Sequence, residues 1–116
     1  MNRFLALYMG TPDGLARWNG MDEGEQARRR KEAFDAWVEW GNTHAVSIVD
    51  HGGPIGKTKR ADPAGVADTR NAVTGYVIVE AEDHATAARM FERHPHFTLF
   101  PGDSVEIMEI LPMPGM

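Results

Sequence analysis

Three features of the sequence predict an α+β domain built as a ferredoxin-like β-α-β-β-α-β plait, with a four-stranded antiparallel sheet and two helices on one face. Apolar β segments stand at residues 4–9, 45–50, 73–80 and 105–111. Helical apolar spacing separates the first from the second and the third from the fourth, which gives two split β-α-β units. The first and last strands carry apolar residues on both parities, so the sheet face left bare by the helices is expected to meet a second copy of the chain.

The first strand, FLALYM from Phe4 to Met9, is apolar on both faces and is read as central. Gly10, Pro12, Asp13 and Gly14 end it, and the stretch to Met21, with Trp18, is read as an ordered loop or short helical turn. Asp22, with Glu25 three residues on, forms a capping-box pattern for a helix over about 23–41. Its apolar side holds Ala33, Phe34, Trp37 and Trp40, and Gly41 and Asn42 are its expected terminators. The run Arg28-Arg29-Arg30-Lys31 falls in its first half, pairing with Glu25, Glu32 or Asp35, or facing an anion; a solvated helix face is the commoner outcome.

AVSIVD, Ala45 to Asp50, is the second strand, stopped by His51-Gly52-Gly53-Pro54. Ile55 to Lys59 adds a brief extended piece, and the segment after it through Asn71, with Asp62-Pro63, Gly65, Asp68 and Arg70, is too polar for core and reads as an excursion or flap. VTGYVIVE, Val73 to Glu80, is the clearest strand, with Gly75 marking a bulge or close approach. Asp83 caps a second helix that ends at His94-Pro95; residues 96–101 return the chain, and VEIMEIL, Val105 to Leu111, closes the sheet.

The 116 residues fit one domain over 1–116, and a folded chain of this mass exposes roughly 6300 Å². With no cysteine, disulfides, thiolate nucleophiles and cysteine metal sites are excluded. Seventeen acidic against twelve basic residues, a net charge of -5, argue against nucleic acid as the main partner. The opening apolar run is too short for a signal peptide or a membrane span, so a cytoplasmic protein without a membrane partner is expected.

FLALYM at the start, GYVIVEAEDHATAARMFERHP in the second half and the closing VEIMEILPM together resemble the YCII-related family, also called YciI-like or DGPF. The resemblance covers essentially the whole chain. It implies a ferredoxin-like homodimer with pockets between subunits, in a family whose activities are mostly unassigned and some of whose relatives are similar to muconolactone isomerase-like dehalogenases. Others stand alone or are fused to transcription-related domains. In the enzyme-like branch a histidine near the start of the first helix, beside an acidic residue, looks like a catalytic dyad. The matching stretch here holds Arg30 and basic neighbours. The DGPF motif is replaced by Asp50-His51-Gly52-Gly53-Pro54.

Candidate chemistry follows from loop position and from that resemblance. Asp50 and His51 stand where a carboxylate can orient an imidazole for proton transfer near neutral pH, provided the turn bends them together. Turn capping on the surface is the commoner use of such a pair. His94 and His96 flank Pro95 and suit a polar or anionic ligand, or simply a hydrogen-bonded helix end; no spacing supports a third metal ligand, so no metal is expected. Gly52 to Thr58 fails the phosphate-loop pattern, since His51 takes the first glycine position and no helix follows. Lys57, with Lys59 and Arg60, makes a small positive patch. The expected pocket lining adds Tyr8, Trp18, Phe97 and Phe100, with Arg30 or Lys57 as a carboxylate anchor.

The function expected is binding of a small acidic or aromatic metabolite, with cofactor-free proton transfer, lactone isomerisation or elimination as the chemistry. His51 would then be the acid or base and Asp50 its orienter. A noncatalytic ligand-binding or regulatory accessory module is the alternative, and a purely structural dimer without a substantial cavity is the third reading.

Overall fold

A computed structural model describes residues 1–115 of the chain. Its centre is β1, Asn2–Gly10, in which Phe4, Ala6 and Tyr8 are buried while Leu5 and Leu7 on the other parity are half-buried. β2 spans Ile48–Pro54, β5 Val73–Ala81 and β6 Gly102–Glu109. β5 and β6 pair antiparallel with β1 on either side, setting Ala6 opposite both Val77 and Ile107. β2 adds to the outer edge of β5, giving the order β2-β5-β1-β6, an antiparallel α+β sheet that fits a ferredoxin-like fold.

The second strand lies further along the chain than its sequence pattern predicts. Residues 45–47 are used in the turn that follows the first long helix, and the strand instead continues through Gly52-Gly53-Pro54. Gly52 makes this possible. It adopts φ 60°, and a side chain there would collide with the Tyr76 carbonyl, so β2 bulges and stays paired only because this position has no Cβ.

Of the two readings of the segment 10–21, loop or short helical turn, the structure holds the helical one and extends it to α1 at Pro12–Asn19. Pro12 and Gly14 read as breakers, yet proline suits a first helical position. The Thr11 side chain accepts from Gly14 N–H, and Gly14 lies against the Pro101 carbonyl where a Cβ would not fit. α2 runs Glu23–Thr43, two residues past the expected end, with Asp22 accepting from Glu25 N–H. The Glu25 carboxylate does not complete a capping box. It pairs with Arg28 and Arg29, and further pairs Arg28–Glu32 and Lys31–Asp35 make this a solvated, ion-paired face.

The polar excursion is a hairpin, β3 at Thr58–Asp62 and β4 at Gly65–Thr69, whose strands pair only with each other. Asp62 accepts from Ala64 N–H at the turn, and Lys59 crosses to Asp68. The second helical region divides: α3 spans His84–Arg89 under an Asp83 cap, Arg93 turns the chain at φ 57°, and α4 spans Pro95–Thr98.

Ala33, Trp37 and Trp40 of α2, Ala87 of α3 and Phe91 cover the sheet face formed by Phe4, Ala6, Tyr8, Val77 and Val79. Phe34, expected in that stripe, points outward and is 65% exposed, because the core-facing line of the helix runs through Ala33, Trp37 and Trp40. Trp40 Nε1 donates to the Met90 carbonyl at 2.8 Å, fastening α2 to the end of α3. The molecule is a slab of 54 × 43 × 18 Å with a Cα radius of gyration of 16.2 Å, against about 13 Å for a compact domain of its length. Its accessible surface, 8278 Å², likewise exceeds the roughly 6300 Å² of a compact monomer of its mass. No helix among the described residues is long and apolar enough to cross a membrane.

Candidate functional site

The turn at Arg93 delivers His94-Pro95-His96 beneath the end of β1, and the two imidazoles take different positions. His94 Nδ1 accepts from His96 N–H at 3.0 Å, capping α4, so the proton of the neutral ring sits on Nε2. That nitrogen lies 3.5 Å from the Tyr8 hydroxyl, at the outer limit of a hydrogen bond. Trp37 and Trp40 meet the ring edge-to-face at centroid distances of 4.5 and 4.7 Å. His94 is 0% exposed, and burial, with smaller contributions from His96 and His44, pulls its pKa down to about 3. Burial also pushes the Tyr8 phenol above its ordinary range, so both groups are neutral at physiological pH.

His96 lies closer to solvent. Its Nε2 is 2.7 Å from the Met9 carbonyl, and since a carbonyl only accepts, Nε2 carries the proton and Nδ1 the lone pair. Nδ1 makes no hydrogen bond among the described residues. Because no fully buried side-chain nitrogen or oxygen there lacks a partner, Nδ1 is reached by solvent although the residue is only 7% exposed. Burial lowers the pKa of this ring, while the bond to Met9 and the Asp103 charge oppose that shift. Gly102 fixes the ring from the other side: a Cβ there would overlap the imidazole and the His96 carbonyl.

His96 lines a cavity of about 670 Å³. The floor is the end of β1 and Thr74 of β5; one wall is the start of α1, with Thr11, Pro12 and Leu15. The opposite wall is the connection from β4 to β5, with Arg70 and Asn71, and Phe100 and Pro101 close the side. Apolar carbon dominates, and the polar residues of the lining are Thr11, Asn71, Thr74, His96 and Arg70. Arg70 is the one Asp, Glu, Lys or Arg residue in this lining. A smaller cavity of about 320 Å³ lies between α3, α4 and β6, lined by Phe91, Phe97 and Ile107 with Glu92 and Asp103 at its rim.

The residues singled out from sequence are distributed unevenly about these cavities. His96 and Phe100 line the larger one. Trp18 packs on Phe100 at 6.1 Å between centroids, with the Arg30 guanidinium 5.8 Å above its ring. Tyr8 and His94 are in the core behind His96, with centroids 5.1 and 5.2 Å from Tyr8 to His96 and His94 respectively. Phe97 belongs to the smaller cavity. Asp50, His51 and Lys57 are exposed and line neither cavity, and the Asp50 carboxylate accepts from Gly52 N–H at 2.8 Å. Asp50 and His51 thus lie within β2 rather than in a turn after it, and the strand does not bring them to a cavity. Among the described residues no three His, Asp or Glu side chains form a metal-holding group. Arg70, Asn71, Thr11, Leu15 and Thr74 were not among the candidate site residues; the polar composition of the segment after Lys59, through Asn71, marked a flap but not which end of it folds back.

No family model and no curated protein matches the chain. Among solved structures it is similar to 5-chloro-2-hydroxyhydroquinone dehydrochlorinase (TftG) from Burkholderia phenoliruptrix, solved in complex with 2,5-dihydroxybenzoquinone, with a TM-score of 0.56 and 16% identity over 94% of this chain and 93% of that one. At that identity the likeness extends to the α+β fold with its four-stranded antiparallel sheet.

Proposed function

We propose that this chain is a homodimeric, cofactor-free protein of the YCII-related type whose larger cavity takes a small aromatic or acidic metabolite and moves a proton on it through His96. The carrying observation is an imidazole held at Nε2 by a backbone carbonyl, its Nδ1 lone pair without a hydrogen-bond partner among the described residues, in a residue that lines a cavity of about 670 Å³. In an elimination, Nδ1 takes a proton from the substrate, the new π bond forms from that electron pair, and the leaving group departs with its own. The imidazolium so formed keeps its Nε2–H bond to Met9 and lies in the field of Asp103. Lactone isomerisation needs the same proton removal followed by its return at another carbon. The role expected of His51 with Asp50 passes to His96 in this reading, because neither of those two lines a cavity.

The similar fold of a dehydrochlorinase that binds a dihydroxybenzoquinone supports the ligand size and the reaction class. A dimer through the bare sheet face is supported by half-buried Leu5, Leu7 and Ile78 on it and by the surface excess of the single chain. One observation favours the noncatalytic alternative: no carboxylate hydrogen-bonds to His94 or His96 among the described residues. The two readings separate on 2,5-dihydroxybenzoquinone binding and on chloride release from 5-chloro-2-hydroxyhydroquinone. Binding with turnover, and a His96→Gln variant that still binds but has lost at least 100-fold in rate, is the expected result. Binding without turnover selects the accessory module, and absence of binding overturns both.

A further inference from the structure

We infer that Arg70 is the anion anchor of the larger cavity, so that the cavity prefers a ring bearing an ionised oxygen, a carboxylate or an acidic enol, over its neutral counterpart. The inference rests on reading that cavity as a ligand site. Arg70 is exposed, carries the permanent charge of the lining, and has no hydrogen bond or ion pair among the described residues. Its neighbours in the hairpin are used differently: Lys59 is bound to Asp68 and Arg60 to Asp62, so the carboxylate two residues before Arg70 is already engaged.

The backbone that follows Arg70 is held in place. Asn71 Oδ1 accepts from Val73 N–H at 2.9 Å, its Nδ2 reaches Thr58 Oγ1 at 3.5 Å, and the Ala72 carbonyl accepts from Gly10 N–H at 2.8 Å. The guanidinium thus leaves the chain immediately before a clamp onto the end of β1. Leu15 and Phe100 supply apolar surface for a ring in the same cavity, and His96 offers Nδ1. A planar guanidinium binds a carboxylate or enolate through paired N–H bonds, which a neutral ester or ether oxygen does not match.

The test compares 2,5-dihydroxybenzoate with its methyl ester, by calorimetry, on the wild type, Arg70→Met and Arg70→Lys. The wild type is expected to prefer the carboxylate by at least about tenfold, a preference that falls as salt rises. Arg70→Met should erase the preference by weakening the carboxylate to the level of the ester, ester binding that persists shows that the variant is folded, and Arg70→Lys should restore part of the preference. Equal affinities in the wild type, or a preference that survives in Arg70→Met, overturn the anchor and leave the cavity as a ligand site. Failure of the wild type to bind either compound overturns the cavity reading together with the anchor.

Discussion

Two histidines two positions apart carry opposite environments. His94 is sealed among Tyr8, Trp37 and Trp40 with Nδ1 committed to a backbone N–H, whereas His96 keeps one nitrogen open. The sealed ring makes stability depend on pH. Its folded pKa of about 3 lies below the unfolded value of 6.5, so between those values the unfolded chain binds a proton that the folded chain refuses. This contribution is complete above pH 6.5 and declines as pH falls, by about 1.4 kcal/mol per pH unit for one histidine. Urea midpoints at pH 7 and pH 5 measure it. His94→Asn, which keeps an acceptor for His96 N–H, is expected to lower overall stability and to flatten the slope by one proton; an unchanged slope would place the titration elsewhere. From the sequence the two histidines could be paired as a ligand site or a helix end, because both flank Pro95. Their division of labour was hidden, since it depends on the left-handed turn at Arg93 and on carbonyls supplied by β1.

Elements with local signals were legible and those with tertiary causes were not. Asp22 and Asp83 each accept from the N–H three residues on, as their spacing implied, and FLALYM and VTGYVIVE are adjacent central strands. The end of β2 was misplaced because His51-Gly52-Gly53-Pro54 reads as a stop, while in the fold Gly52 lets the backbone lie against β5. Gly52→Ala is therefore expected to cost at least ~2 kcal/mol, from the positive φ together with the collision at the Tyr76 carbonyl. Thermal melts give the loss directly, and amide exchange should show it concentrated at the pairing of residues 53 and 54 with 76 and 75. Gly53→Ala, where a Cβ meets nothing within 4 Å, is the control. α1 was legible only as one of two alternatives, a loop or a short helical turn, for a related reason: Gly14 breaks a helix in isolation but here fits against Pro101. Of the candidate site, Phe100 and His96 were readable because they sit at a predicted return connection, whereas Arg70 and Asn71 reach the cavity only through the hairpin that no periodicity announced.

At the scale of the whole molecule, the thickness of 18 Å is that of one sheet and one helical layer. The apolar residues on the second parity of β1 and β5, Leu5, Leu7 and Ile78, are left half-buried by this arrangement, as their sequence pattern implied. In the dimer proposed above these residues form the contact, which needs about 800 Å² from each partner. Leu7 lies opposite Tyr76 on one side and Glu106 on the other, so Leu7→Glu sets two carboxylates side by side in the middle of that face. Light scattering should then fall from twice the chain mass to 12.9 kDa, and a mass unaffected by the substitution would place the contact elsewhere. The hairpin of β3 and β4 stands outside this layered plan. No hydrogen bond of the four-stranded sheet runs through it, yet the chain leaving it carries Arg70 and Asn71 to the cavity wall. Arg70 and Asn71 thus reach the cavity from a ribbon on which the pairing of the four-stranded sheet does not depend, so a shortened or recharged hairpin is expected to alter that one wall and leave the sheet standing.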